Sequence, residues 1–481
     1  MIVDQDYLGR QEKPRVIIVG SGPAGVSLAH RLAVQKIRSL TLEAGGESFE
    51  AEVQDDYTGR TEGDTYYDLD TTRLRFLGGS SNHWQGWCRQ LDEVDFLPRD
   101  DIPEYGWPIR KSDLDPFAEA ASDILEVPLA SKRRLNEELD EVEFKFSPPV
   151  NFAEKYRHFF ETSEYAHLML HAPVQTLTAK EGRIISARII TRDGLPRDVQ
   201  GGIYVLAAGG IENSRLLLWS NEVSGEPLVQ NATTLGKYWM EHPHNYVGQA
   251  QLAAGPLKYV STHNNQKFAA PSNSAMAKYG IMNGTVRMWP VYYGEDRLRD
   301  AIKWGICATG SAGAGTLKEM GQQVDCMSEV QVVWEQPPTE GNRVSLDPVA
   351  KDRFGVPRPV LHWRRTPLDY RTARIIFELF GTFMVSQGLG RVRAYDHLIE
   401  EANYPDDGIP GGHHHMGGTR MADSPRKGIV DRNLKIFGLR NAYIAGSSVF
   451  PTGGHANPTF SIVQLSLRLG DHIAKLRSLS T

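Results

Sequence analysis

The stretch Arg15–Ala33, "RVIIVGSGPAGVSLAHRLA", decides the fold. It opens on the β-branched run Val16 to Val19, which suits a strand buried on both faces of a sheet. The chain then enters Gly20-Ser21-Gly22-Pro23-Ala24-Gly25 and continues with apolar residues at helical spacing, Val26, Ala29, Leu32 and Ala33. A second strand, "LTLEAG", follows and ends in Glu43 and Ala44. Strand, glycine turn, helix, strand and acid in that order are expected to form a dinucleotide-binding unit. Gly20 permits the tight turn, Gly22 lets the backbone approach a pyrophosphate, and Gly25 lets helix and strand pack closely. The helix amino terminus, around Pro23 and Ala24, offers unpaired N–H groups to phosphate. Glu43 lies 18 residues past Gly25, where a carboxylate accepts hydrogen bonds from a ribose diol. These residues alone leave NAD and FAD both open.

At 481 residues the chain exceeds one ordinary core, and about two to four domains are expected. Apolar residues make up 40% and charged residues 23%, a globular balance that argues against disorder. The net charge is −6, from 53 basic and 59 acidic residues without a basic block, which argues against a nucleic-acid partner. Cys88, Cys307 and Cys326 form neither a CxxC pair nor an even framework, which fits a reducing, cytoplasmic setting. No export-signal pattern is present near the start, and "VIIVG" is too short to span a membrane. The expectation is a cytoplasmic protein with no membrane span.

A second glycine cluster, "LRFLGGSSNHWQGW", occupies Leu74 to Trp87. Farther on, "RIISARIITRDG" and "GGIYVLAAGGIENSRLLLWS" read as strands, then a helix opening near Glu212, in a return to a parallel sheet. From about His244 to Arg364 the pattern alternates, as in "SEVQVVWEQ", "NRVSLD" and "PVLHWRR", and predicts a largely antiparallel sheet. Helical spacing recurs over Leu368 to Val385, through Ala373, Ile376, Phe377 and Phe380. A histidine-rich loop, the strand "NAYIAG" and a final helix close the chain. The cofactor domain is thus expected from residues 1–100, 165–243 and 410–481, with 101–164 and 244–409 forming the substrate domain.

In "GGHHHMGGTRM", Gly411 to Met421, three consecutive side chains cannot converge on one point in regular structure. At most His413 and His415 would share a strand face. Asn457 stands where a helix cap belongs, with Pro458 at the first helical position and Phe460, Val463 and Leu467 on a buried face. No carboxylate or cysteine stands at metal-ligand spacing beside the histidines, so no metal is expected.

These motifs together resemble those of the glucose–methanol–choline (GMC) oxidoreductases: "GSGPAG…LEAG", "LGGSSNHW", "VLAAGGIENSRLLL", "HMGGTRM" and "SSVFPTGGHANPT". Within that family they are most similar to pyranose oxidases and related sugar or glycoside oxidoreductases. The resemblance implies an α/β protein, with a Rossmann-like FAD domain on a parallel sheet and an inserted substrate domain on a largely antiparallel sheet with helices. It decides for FAD, and it implies oxidation of a secondary alcohol of a sugar, glycoside or polyol to a ketone. Matched by position in "HMGGT" and "ANPT", His415 is the expected base, taking the hydroxyl proton while hydride leaves for flavin N5. Asn457 is its expected partner on the substrate oxygen. Cofactor contacts are implied at Gly78, Gly79, Ser80, Asn82, His83 and Trp84, at Val174, Ala208 and Gly209, and at Gly446, Ser447, Asn457, Pro458 and Thr459. His83 occupies the place of a histidine bonded to flavin in pyranose oxidases. Asn82 replaces a threonine there, so noncovalent FAD is expected, with a link at His83 as the alternative. His455 and Trp334 are substrate-contact candidates, and Trp289, Tyr292 and Tyr293 could stack on sugar rings or belong to the core. Oxygen or a quinone is the expected electron acceptor. A non-redox lyase of the same fold, a sterol or natural-product hydroxyl as substrate, and a purely structural FAD remain the competing readings.

Overall fold

Val16–Val19 is buried along its whole length and pairs in parallel with Ser39–Leu42 on one side and Ile203–Leu206 on the other. Both faces are covered, so a run without polar alternation is stable there. The structure, a computed structural model, describes residues 1–9, 13–148, 150–224, 227–230, 232–252, 267–290, 302, 305, 327–402, 404, 405 and 411–478. Among these, the parallel sheet runs Ile2–Val3, Ala166–Met169, Ser39–Leu42, Val16–Val19, Ile203–Leu206, Ala442–Ile444. The helix Pro23–Val34 leaves the glycine turn and packs against the final helix, Thr459–Ser478. A Cβ on Gly25 would lie 2.0 Å from the Gly20 carbonyl oxygen, so only glycine lets this helix start so close to its strand.

The second sheet orders Gly390–Ala394, His244–Leu252, Met327–Trp334, Gly284–Pro290, Lys267–Pro271, Leu139–Glu143 and Lys132–Arg134, antiparallel throughout. The helix Pro367–Ser386 begins in a capping box between Thr366 and Asp369. It lays Ala373, Ile376, Phe377 and Phe380 onto one face of that sheet, against Val286, Val330 and Val332. The opposite face turns toward the cofactor half. A sheet with one face packed and the other on a cavity alternates two kinds of residue along each strand, and the parity of a position decides its role.

Three expectations need revision. Arg183–Ile190 joins no parallel sheet; it pairs antiparallel with Val174–Lys180 and Pro196–Val199, and its buried and exposed positions largely alternate, as a half-solvated sheet requires. The helix expected near Glu212 opens at Gly209. Residues 101–164 are not confined to the substrate half: Trp107, Leu125, Phe152 and Phe160 are buried in the same core as Val16–Val19. Cys88 is free and buried. Cys307 and Cys326, with Tyr292 and Tyr293, lie outside the described residues. Among the described residues no helix is long and apolar enough to cross a membrane.

Candidate active site

A cavity of about 810 Å³ runs between the two sheets, from the glycine turn to the histidine loop. That is within the range of cofactor and ligand sites, roughly 300–1,000 Å³. Its wall contains Gly20, Gly22, Pro23, Ala24, Glu43 and Ala44 from the first βαβ unit, and Gly79, Ser80, His83 and Trp84 from the second glycine cluster. Val174, Ala208, Gly209, Gly446, Ser447, Pro458 and Thr459 complete that half. The wall suits the FAD that the fold implies. Gly22 caps the helix Pro23–Val34 without any side-chain bond, and neither Gly22 nor Gly209 has an atom within 4 Å of a notional Cβ, so backbone faces open space there. Glu43 is aimed by Ser21, which donates from both backbone N (3.0 Å) and Oγ (2.6 Å), and by the Gly45 N–H (3.0 Å).

Gly25, Gly78 and Asn82 do not reach the cavity. Gly78 sits at φ 86°, opening the turn Gly79–Asn82. Asn82 spends its amide N–H groups on the Leu77 and Gly79 carbonyls, so it stiffens the turn from behind. Trp334 is also off the wall. It is wholly buried on the helix side of its strand and donates from Nε1 to Asp369 (2.9 Å), which corrects its expected substrate contact. Its neighbours of opposite parity, Gln331 and Val333, face the cavity instead. Trp289 lies on the wall.

The histidine loop corrects the expected pairing as well. His414, not His415, meets Asn457: the Asn457 amide nitrogen lies 3.0 Å from His414 Nε2. His415 also lines the cavity, but its ring packs against Trp239 (5.5 Å between centroids) and Tyr66 (6.4 Å), and its Nε2 has no hydrogen-bond partner among the described residues. The reason is local. Met416 exchanges both backbone bonds with Met240 in a β-bridge, so neighbouring side chains there point to opposite sides. Gly417 and Gly418, at φ 75° and 88°, then turn the chain back, and a Cβ on Gly417 would lie 2.0 Å from the Tyr238 carbonyl oxygen.

The polar bonds around His414 fix its tautomer. The Gly454 carbonyl, 2.7 Å from His242 Nε2, can only accept, so that nitrogen carries the proton. Burial holds the His242 imidazole neutral by pulling its pKa down to about 4, which leaves its Nδ1 as an acceptor. His414 Nδ1, 2.8 Å away, must therefore donate. His414 Nε2 is left with a lone pair, and the Asn457 amide donates into it. Burial, then the cost of placing a charge beside His242 and His244, holds the His414 pKa well below the ordinary value. The backbone is anchored by Glu241, whose carboxyl accepts from His414 N (2.7 Å), Gly412 N (3.3 Å), His242 N (2.8 Å) and the Tyr66 hydroxyl. Burial raises that carboxyl to about 7.

Asn457 was expected as a helix cap, yet the helix begins at Thr459 and the Asn457 side chain bonds to His414. His455 is buried on the wall beside Phe144, with both ring nitrogens unpartnered among the described residues. His83 lines the cavity, 6.3 Å from the His413 ring. The residues that sequence reasoning passed over are Glu241, His242 and His244. Their signal was the segment "EHPH", two histidines flanking a proline at the start of the antiparallel strand His244–Leu252.

A family model described as GMC oxidoreductase matches residues 338–466, the span that carries both His414 and Asn457. The carboxy-terminal part of the chain is thus similar to the GMC oxidoreductases. It is similar to the 2-methyl-1,2-propanediol dehydrogenase of Mycolicibacterium austroafricanum, with 26% identity over 313 residues, 64% of this chain and 54% of the relative. It is also similar to the large subunit of fructose dehydrogenase from Gluconobacter japonicus, with 22% identity over 297 residues, 62% of this chain and 51% of the relative. The chain thus spans about half the length of the curated relatives it matches. Among solved structures, pyridoxine 4-oxidase from Mesorbium loti superposes with a TM-score of 0.64 at 15% identity, covering 96% of this chain and 99% of that one. Formate oxidase from Aspergillus oryzae RIB40 does so at 0.57 and 15%, covering 97% and 99%. At this identity the two structures show that the fold, a parallel and an antiparallel sheet with helices, is shared.

Proposed function

We propose that this chain is a GMC oxidoreductase that oxidises a secondary alcohol of a sugar, glycoside or other polyol-like metabolite, with His414 as the base and Asn457 as its partner. The observation that carries the reading is the chain Gly454–His242–His414–Asn457, which presents an unprotonated imidazole nitrogen to the cavity. FAD, when bound, supplies the two-electron acceptor. His414 Nε2 takes the hydroxyl proton of the substrate in place of the bond it now receives from Asn457. The displaced Asn457 amide then donates to the substrate oxygen and holds it in line. A depressed imidazole pKa keeps the base unprotonated at neutral pH at the expense of intrinsic basicity. The amino terminus of the final helix, at Thr459, adds partial positive charge at the end of the cavity where the cofactor ring is expected. The name of the fructose dehydrogenase supports a sugar as substrate, and that of the diol dehydrogenase supports oxidation of an alcohol without favouring a secondary one.

The test is anaerobic mixing of the FAD-loaded protein with sugars, glycosides, cyclitols and sterols, watching the flavin bleach. An oxidoreductase bleaches with its alcohol, whereas a lyase leaves the flavin yellow. His414→Ala is expected to slow bleaching by about 10²–10⁴-fold, the usual worth of a positioned base. His415→Ala is expected to cost less than tenfold in that step while lowering thermal stability. Were His415→Ala the more damaging of the two, the assignment of the base would be overturned.

A further inference from the structure

The cavity face of the antiparallel sheet carries a cation, Arg287, that has no ion-pair partner among the described residues. Arg287 stands opposite Gln331, which stands opposite Tyr246, across three neighbouring strands. Thr285, Val333 and His244 form the adjoining row two residues along, about 7 Å away by strand geometry. All six side chains line the cavity. The His244 ring lies 6.3 Å from that of His414, so this face runs directly from the proposed base to Arg287.

The guanidinium is held firmly by neutral groups. Arg287 Nε donates to Gln331 Oε1 (2.7 Å), and Trp289 Nε1 donates to the same oxygen (3.0 Å). The rings of Trp289, Phe268 and Trp87 surround it with centroids 4.8, 5.6 and 5.9 Å from Cζ. Its two terminal nitrogens have no hydrogen-bond acceptor and no carboxylate within ion-pair distance among the described residues. The other arginines of the cavity wall differ. Arg73 pairs with Glu212 at 2.7 Å, Arg215 with Asp352 at 2.7 Å, and Arg75 with Asp56 at 3.6 Å. Burial is severe enough to pull the Arg287 pKa down to about 10. A desolvated cation with its donor fork free is costly to the fold unless an anion completes it, and that fork matches a carboxylate or phosphate edge.

We propose that the substrate alcohol carries an anionic oxygen group, a carboxylate or a phosphate ester, which Arg287 binds while the carbinol lies at His414. This rests on the reading of the cavity as an alcohol-oxidising site, and it narrows the substrate to hydroxy acids, sugar acids or sugar phosphates. Gln331 fixes the plane of the fork, and the aromatic rings exclude water from the ion pair.

Binding and turnover are tested separately on the FAD-loaded protein. Acetate, benzoate and inorganic phosphate are titrated while tryptophan emission and the flavin spectrum are followed, Trp87 and Trp289 being beside the site. Saturable binding is expected for the wild type, weakened at least tenfold in Arg287→Gln and less in Arg287→Lys. Anaerobic flavin reduction is then compared for methyl glucoside, methyl glucuronide, gluconate and glucose 6-phosphate. The ratio of anionic to neutral kcat/KM is expected to exceed ten in the wild type and to collapse at least tenfold in Arg287→Gln. Carboxylate and phosphate arms distinguish the two anions. Absence of anion binding, or titrations identical in wild type and Arg287→Gln, overturns the proposal. If anions bind through Arg287 while no alcohol bleaches the flavin, the alcohol reaction falls and the anion site stands.

Discussion

His242→Phe isolates the contribution of one hydrogen bond to the reactivity of another residue. In the wild type the His242 Nδ1 lone pair accepts the His414 Nδ1 proton at 2.8 Å, which leaves a lone pair on His414 Nε2, the proposed base. Phenylalanine fills the same space without an acceptor. A neutral hydrogen bond contributes about 1 kcal/mol, and stranding a buried N–H costs about 1–3 kcal/mol. The useful tautomer is then disfavoured by roughly 1.4–2.7 kcal/mol, or about 10- to 100-fold in rate at 1.36 kcal/mol per decade. The rate of flavin bleaching in anaerobic stopped flow reads this directly, with the apparent substrate affinity from the same traces expected to move less than threefold. His242→Asn restores an oxygen acceptor near the Nδ1 position and is expected to recover most of the loss. A wild-type bleaching rate in His242→Phe would refute the tautomer argument. So would a His242→Asn variant as slow as His242→Phe, provided both retain flavin and melt normally.

Because burial and the neighbouring histidines lower the His414 pKa, it remains the free base below the ordinary histidine range, and the rate loses its base only at more acid pH. Bleaching rate against pH is therefore expected to be flat from pH 8 through 6.5 and to fall only below that; a descending limb centred at or above 6.5 contradicts this. Gly417→Ala forces a side chain into φ 75° and onto the Tyr238 carbonyl. Strain of about 1–3 kcal/mol is expected, seen as a lowered melting temperature together with loss of flavin during purification, and an unchanged melt would be the contrary result. Acid precipitation is expected to release yellow colour to the supernatant. Colour that stays with the pellet, and that His83→Ala abolishes, would establish a covalent link instead.

The cofactor half was legible because its constraints are consecutive in sequence. A buried strand, a glycine that must take the turn, a glycine that must admit a helix and an acid at fixed spacing each limit residue type at a named position, from Val16 to Glu43. The two misplaced residues share one cause. Trp334 lies one position from Val333, which reaches the cavity, and His415, though on the cavity wall, lies one position from His414, which meets Asn457. Composition and periodicity locate a strand or a loop well, but side-chain parity flips with a single step of register. For His414 the parity was set by a bridge to Met240, far away in sequence. Arg287 left no trace at all in the sequence. An arginine in a strand is ordinary; it becomes informative only once three aromatic rings and the absence of a carboxylate partner among the described residues are seen around it.

The alternation of the antiparallel sheet separates two kinds of evolutionary freedom. Val330, Val332 and Trp334 hold the helix Pro367–Ser386, while Gln331 and Val333 between them face the cavity, as do Thr285, Arg287 and Trp289 on the next strand. Exchanges at the cavity-facing positions can redraw what the cavity accepts without disturbing what keeps the sheet and helix together. A lineage carrying this architecture can therefore explore new metabolites at little risk of unfolding, and directed evolution of this chain has a ready-made library: the inward members of two strands.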